Sequence, residues 1–243
     1  MSALTLLNSR PARRLSIGIA LALLGSLSPV VGFARPPVAA VPAWPDSYVS
    51  RLQALALLQS LNADLLSHDS ATLTLERWCS THQLAPQPKI VARRVRGQDK
   101  PLPEELRTQL GIGAEEPVRY RRVQLMCGEH VLSEADNWYL PNRLTAAMNE
   151  QLDHSEVPFG RVVLPLHFRR KTLSAELLWT PLPAGWEMGS PVATDPAKPL
   201  PIPAQVLQHR AVLYRGDNQP FSVVNEVYTG EVLAFPLKAP VAR

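Results

Sequence analysis

Residues 118–140, VRYRRVQLMC-GEH-VLSEADNWYL, decide the fold of this chain. Two runs rich in β-branched and aromatic residues, 118–127 and 131–140, are separated by a short turn that starts at Gly128. This spacing predicts an antiparallel β-hairpin. Side chains alternate along a strand, so arginines fall on both faces of the first strand. One face must therefore carry arginine in or near the core.

Alternation assigns each side chain of this first strand to a face. Tyr120, Arg122 and Gln124 share one face. The other face carries Arg119, Arg121, Val123, Leu125 and Cys127.

A second hairpin is predicted at the end of the chain, from strands at 206–214 and 221–235 around a turn at 216–218. Within the sequence FSVVNEVY, Glu226 stands among apolar residues. A carboxylate buried there would need a partner. From the residues alone, Glu226 and Arg122 either face solvent or meet as an ion pair in a closed cavity.

Helical patterns dominate the chain from residue 48 to about residue 152, apart from the first hairpin. Apolar residues recur every three or four positions over 48–65, which predicts an amphipathic helix. Asp69 or Ser70 can cap a second helix, and paired prolines start a short one at 102–110. Pro141 starts another, which runs to about residue 152.

The remaining segments are β-like or irregular. Residues 157–166 and 168–178 are predicted as mostly β-like, and 180–203, with seven prolines, as a long loop. Helices cluster early and strands late, which favours a single α+β domain with an antiparallel sheet.

The first 34 residues have the layout of a secretory signal peptide. Three arginines precede an uncharged apolar run at 15–34, which ends in small residues. A Pro/Ala linker at 35–46 follows. We expect an exported, periplasmic protein that touches the membrane only through this signal. The alternative is an uncleaved anchor, because a run of 20 apolar residues can span a bilayer.

Charge and motif content exclude several classes of partner. The net charge is +4, and Arg10, Arg13 and Arg14 supply three of those charges, so no nucleic-acid partner is expected. Phosphate-binding loops and metal-ligand spacings are missing from the sequence, and we expect neither cofactor nor metal. Cys79 and Cys127 form either one disulfide or two buried thiols.

Six short motifs occur in order along the exported part. They are HDSATLTLE (68–76), RYRRV followed by LMC (119–127), Pro141, PFGR (158–161), HRAVL (209–213), and PF with the later Glu226 (220–226). Together they resemble the chorismate lyase (chorismate–pyruvate lyase) family and, more broadly, the chorismate-lyase-like/UTRA fold. The resemblance covers most of a domain at 47–237, which leaves a tail at 238–243.

The resemblance implies a six-stranded antiparallel sheet with an internal ligand cavity under helical flaps. It implies that Arg122 binds a ring carboxylate. It also implies that Glu226 forms a hydrogen bond with a ring hydroxyl and serves as the acid–base group. The backbone at Ala71 and Phe159 would make the flap contacts. Two further positions, with less defined roles, are Arg161 and Arg210.

The implied function is the elimination of pyruvate from chorismate, or a related enolpyruvyl compound, to give 4-hydroxybenzoate by acid–base catalysis. The alternative is an exported, non-catalytic binding protein for small aromatic carboxylates. A third possibility, a protein that binds partners through its sheet alone, would leave Arg122 and Glu226 in solvent. A monomer is expected in each case.

Overall fold

The computed structural model describes residues 44–236. In chain order the strands are β1 (Pro45–Asp46), β2 (Ile90–Val95), β3 (Arg119–Cys127), β4 (His130–Tyr139), β5 (Arg169–Leu177), β6 (Asp195–Pro199), β7 (Gln205–Tyr214) and β8 (Pro220–Thr229). The helices are α1 (Tyr48–Leu66), α2 (Ala71–Thr81), α3 (Glu104–Leu110), α4 (Ala146–His154) and α5 (Phe159–Val162).

Six of these strands form one antiparallel sheet in the order β2-β3-β4-β8-β7-β5, and β1 pairs separately with β6. The predicted α+β class and the six-stranded sheet are thereby confirmed. Both predicted hairpins are present, as β3-β4 and β7-β8. Gly128 turns the first with a φ of 56°, which is favourable for glycine. Strand β8 pairs with β4, so the two hairpins meet at the centre of the sheet.

The sheet has an inner face, covered by α1, α2, α4 and α5, and an outer face, on which α3 lies. On the inner face, apolar side chains of the covering helices pack against strand residues such as Val123, Val224 and Leu213. On the outer face, Leu106 and Leu110 of α3 pack against Trp138. Residues paired across neighbouring strands share a face, so the register assigns each polar side chain to one side.

The first two helices each start at a serine cap, and the second cap, Ser70, is one of the two that the sequence predicts. Ser47 accepts a hydrogen bond from the Ser50 amide, and Ser70 accepts one from the Leu73 amide. A disulfide between Cys79 and Cys127, which are both fully buried, joins α2 to β3. Of the two alternatives for the cysteines, the structure has the disulfide.

Several segments differ from the prediction. The helix expected from Pro141 begins only at Ala146, after a 3₁₀ turn at Pro141–Arg143. The loop expected at 180–203 contains the strand β6. Residues 157–166, expected to be β-like, form α5 and a 3₁₀ turn at Leu164–Leu166. Pro158 and Pro165 at the starts of these turns favour helical over extended backbone. The last strand ends at Thr229, and a 3₁₀ turn, Gly230–Leu233, follows it.

The predicted signal peptide at 1–34, most of the linker at 35–46 and the tail at 238–243 lie outside the described residues. Export and membrane anchoring therefore stay predictions. Within residues 44–236, no helix combines the length and apolarity that a membrane crossing requires.

Candidate functional site

A small internal cavity, about 40 Å³ in volume, lies between the inner face of the sheet and the N-terminal ends of α2 and α5. Its apolar walls come from Val123, Leu125, Phe159, Phe168, Leu213 and Val224. Four polar side chains from four different strands also line it, namely Arg121, Asn137, Arg170 and Glu226. The sheet thus contributes two cations, one anion and one amide, and a second carboxylate, Asp69, lines the cavity just before α2.

Arg121 is a buried cation whose hydrogen-bonding capacity is only partly used. The residue is 1% exposed. Its Nη2 donates to the carbonyls of Ser155 (3.4 Å) and Val157 (3.2 Å). Among the described residues, nothing accepts a hydrogen bond from its Nε or Nη1. Burial, and then the nearby charge of Arg94, lowers the pKa of Arg121 to about 10. At neutral pH the group is therefore charged, and an anion in the cavity would satisfy it.

Glu226 forms a buried ion pair with Arg170. Nη2 of Arg170 lies 2.6 Å from Oε2 of Glu226, and both side chains are less than 10% exposed. Burial is the largest single effect and lowers the pKa of Arg170, but Glu226, Tyr228 and Asp69 together outweigh it, so the pKa is raised. The hydroxyl of Tyr228 also donates to Oε2, at 3.2 Å. Both bonds end on the same oxygen, and the described residues make no hydrogen bond to Oε1.

Two helix starts form the roof of the cavity. Ser70, Ala71 and Thr72 at the beginning of α2 line it, and the N-terminal end of a helix carries partial positive charge. Gly160 of α5 lies so close to α2 that a Cβ there would be 3.1 Å from Ser70 Oγ. A larger residue at position 160 would therefore require the side chains of Ser70 and Thr72 to shift.

An ion pair holds these two helices together. Nη2 of Arg161 on α5 donates to both carboxylate oxygens of Glu76 on α2, at 2.9 and 2.7 Å. Glu76 also accepts from the Ile90 amide of β2. The roof is thus fixed to the edge of the sheet.

Three of the six predicted site residues lie at this cavity, namely Ala71, Phe159 and Glu226. Arg161 is paired with Glu76 and does not line it. Arg210 is exposed on the outer face, where its Nε donates to Ser174. Neither of these two arginines therefore lines the cavity, and a role for them in substrate binding stays a prediction.

Arg122 is likewise on the opposite side of the sheet from Glu226. Its guanidinium forms ion pairs with Glu134 (3.2 Å) and Asp136 (3.3 Å) on the outer face. The prediction that Arg122 shares a closed cavity with Glu226 is therefore wrong. The physical reason is the strand period of two, by which neighbouring residues point to opposite faces. Arg121, one position earlier, is the arginine that the sheet turns inward.

The sequence carried a signal for Arg121 but none for Arg170 or Asn137. Alternation already grouped Arg121 with the apolar residues of β3, whereas the motif comparison selected Arg122. Arg170 sits in the run HFRRK, where nothing distinguishes it from its neighbour Arg169. Asn137 was missed because its burial depends on the pairing of β4 with β8.

A larger groove, about 550 Å³ in volume, lies on the outer side of the sheet and includes Glu134 and Glu231. Both carboxylates already have partners, Arg122 for the first and His130 for the second. This groove shows no buried, unsatisfied charge among the described residues. The small inner cavity is therefore the better candidate despite its size. Within residues 44–236, no three His, Cys, Asp or Glu residues are grouped to hold a metal ion.

Fold and site together define an α+β protein with a buried, polar cavity between its sheet and two helix starts. The chain belongs to the family of "Uncharacterized protein y4mC" from Sinorhizobium fredii (strain NBRC 101917 / NGR234). The two sequences are 53% identical over 194 residues, which is 79% of this chain and 82% of the relative. No family model matches the chain.

Solved structures show partial likenesses of fold. PhnF from Mycobacterium smegmatis is 15% identical, with a TM-score of 0.46 over 73% of this chain and 71% of that one. The ligand-binding domain of a putative GntR-family transcriptional regulator from Bordetella bronchiseptica is 18% identical. Its TM-score is 0.37 over 58% of this chain and 82% of that one.

Proposed function

We propose that the cavity binds a small ring carboxylate and that the protein eliminates pyruvate from chorismate or a related enolpyruvyl compound. One observation carries the proposal: Arg121 is 1% exposed, and two of its donor atoms have no partner within residues 44–236, in a cavity that also contains Glu226. A carboxylate is the ligand that best stabilises a buried guanidinium of this kind, because the two groups can form two parallel hydrogen bonds.

The chemistry of the elimination fits these residue types. A base removes the hydrogen from the ring carbon that bears the hydroxyl, and the electron pair forms a ring double bond. The neighbouring carbon–oxygen bond breaks, enolpyruvate leaves, and it takes up a proton to become pyruvate. The ring becomes aromatic as 4-hydroxybenzoate, so no oxidant or cofactor is consumed. Glu226 would serve as the acid–base group through Oε1, while Arg121 positions the ring.

The cavity must widen before a ring can enter. A cavity of about 150 Å³ holds benzene in a protein core, whereas this one has about 40 Å³. Gly160 and Ser70 are in close contact across the roof, and Arg161 bonds Glu76 beside them. Entry therefore requires α5 to move away from α2. Closure afterwards would exclude water from the reacting groups.

A binding protein without catalysis is the second candidate, and one observation favours it. Oε2 of Glu226 is held by both Arg170 and Tyr228, which fixes the position of the carboxylate. A carboxylate held in one position is a good acceptor for a ligand hydroxyl. In this case the same cavity would hold a small aromatic carboxylate without changing it.

The deciding experiment is to incubate the full chain with chorismate and follow both pyruvate and 4-hydroxybenzoate. We expect both products, and a loss of at least about 100-fold in Glu226→Gln, which keeps the size but removes the acid–base group. If the wild type makes neither product but binds 4-hydroxybenzoate, the lyase proposal is wrong and the binding candidate holds. If it neither reacts nor binds, both candidates are wrong.

A further inference from the structure

Asn137 lies in the cavity between the cation and the anion. It is 4% exposed. Its direct cross-strand partners are Arg121 on β3 and Val224 on β8. Glu226 lies two residues beyond Val224 on the same face, which makes it the diagonal neighbour of Asn137, about 7–8 Å away. Cation, amide and anion thus follow one another along one wall.

A neighbouring serine fixes the orientation of this amide. Ser222 is fully buried, and its Oγ donates to Asn137 Oδ1 at 2.5 Å and lies 3.0 Å from the Trp138 carbonyl. With its oxygen held by Ser222, the amide turns its Nδ2 the other way. No group among the described residues accepts a hydrogen bond from Nδ2. Two N–H donors are therefore left for a ligand.

We propose that Asn137 determines specificity and selects a ring hydroxyl over a ring amino group at the end of the ligand that meets Glu226. The inference rests on the proposed function, because it needs a ring carboxylate bound at Arg121. A hydroxyl can donate to Glu226 and at the same time accept from Asn137.

A ring amino group can satisfy only one of these two residues. It still donates to Glu226, but its lone pair is shared with the ring and accepts poorly. The bound ligand then covers the Nδ2 donors of Asn137 without giving them an acceptor, which is costly.

Three ligands of nearly equal size test this: benzoate, 4-hydroxybenzoate and 4-aminobenzoate, each titrated calorimetrically into the full chain. We expect the wild type to prefer the hydroxy over the amino compound by at least about tenfold. In Asn137→Leu, an apolar side chain of similar size, this ratio falls to about one. In Asn137→Asp, an acceptor replaces the donor, and the ratio inverts. Benzoate, which has no group to meet Glu226 or Asn137, gives the reference affinity of each protein for the carboxylate alone.

The outcomes separate this inference from the proposed function. A wild-type preference for 4-aminobenzoate, or a ratio that Asn137→Leu leaves unchanged, overturns the role of Asn137 while carboxylate binding stands. An equal loss of affinity for benzoate and for 4-hydroxybenzoate in Asn137→Leu also overturns this role, because the amide would then act on the ligand's carboxylate. If none of the three ligands binds the wild type, both proposals are wrong. The ratio of the wild type's affinities for 4-hydroxybenzoate and 4-aminobenzoate is measured without any variant. The proposal can therefore still be overturned if Asn137→Leu does not fold.

Discussion

Arg170 and Glu226 compensate each other's charge inside the protein, and neither has another ionic partner within the described residues. Replacing one member leaves a buried charge unpaired, which costs about 3–5 kcal/mol. We therefore predict that Arg170→Met lowers the free energy of unfolding by about that amount. The measurement is urea unfolding at neutral pH, followed by circular dichroism.

The double variant Arg170→Met/Glu226→Gln is the matched comparison. It removes both charges, so it should be more stable than Arg170→Met alone. If Arg170→Met is as stable as the wild type, Arg170 does not stabilise the Glu226 carboxylate, and the two side chains do not form a buried ion pair.

Arg121 shows what the sequence can and cannot determine about a site. Strand alternation was sufficient to place Arg121 on the same face as Val123 and Leu125. The motif comparison pointed one residue further, to Arg122, and a shift of one residue moves a side chain to the other face of a sheet. For Glu226 the residues alone left solvent and cavity both open, the family resemblance favoured the cavity, and the structure places the side chain there. Asn137 could not be predicted, since its burial comes from strands distant in sequence.

At the level of elements, the disulfide between Cys79 and Cys127 ties α2, which roofs the cavity, to β3, which carries Arg121. It closes a loop with a sequence separation of 48. In the chain-entropy model, a loop of that length contributes about 4 kcal/mol to stability. We predict that Cys79→Ala/Cys127→Ala lowers the free energy of unfolding by up to about that amount.

Reductant provides the control for this prediction. Dithiothreitol should destabilise the wild type to a similar extent and leave the double variant unaffected. A wild type whose stability does not respond to complete reduction would show that the cross-link contributes nothing.

Elements defined by local signals were predictable, and elements defined by packing were not. The hairpin β3-β4 follows from two β-rich runs around Gly128, and α2 follows from the Ser70 cap. Residues 157–166 contain valines and leucines that favour strands in isolation. In the fold, Phe159 and Val162 are buried on one side of a short helix, and this tertiary contact decides the conformation.

At the level of the whole molecule, His209 makes stability depend on pH. It is fully buried, and its Nε2 lies 2.8 Å from Asn62 Oδ1. Burial, and then the charge of Arg170, lowers its pKa to about 4, while Glu226 opposes the change. The unfolded chain takes up this proton near pH 6.5. Between these values the unfolded state binds more protons, so stability falls as the pH falls from 6.5 to 4.

We predict a loss of roughly 2–3 kcal/mol from this residue between pH 7 and pH 4.5. His209→Gln keeps a donor for Asn62 but cannot be protonated, so its stability should fall less over the same range. Urea unfolding of both proteins at the two pH values measures the difference. An equal loss in both would mean that His209 does not control acid sensitivity.

Binding of a carboxylate at Arg121 has a matched test, because the neighbouring Arg122 lies on the other face of the sheet. Benzoate is titrated calorimetrically into the wild type, Arg121→Met and Arg122→Met, after circular dichroism shows that each is folded. We predict that Arg121→Met weakens binding at least about tenfold, whereas Arg122→Met, on the outer face, changes it less than about twofold. Loss of binding in Arg122→Met with normal binding in Arg121→Met would show that benzoate does not bind in the inner cavity.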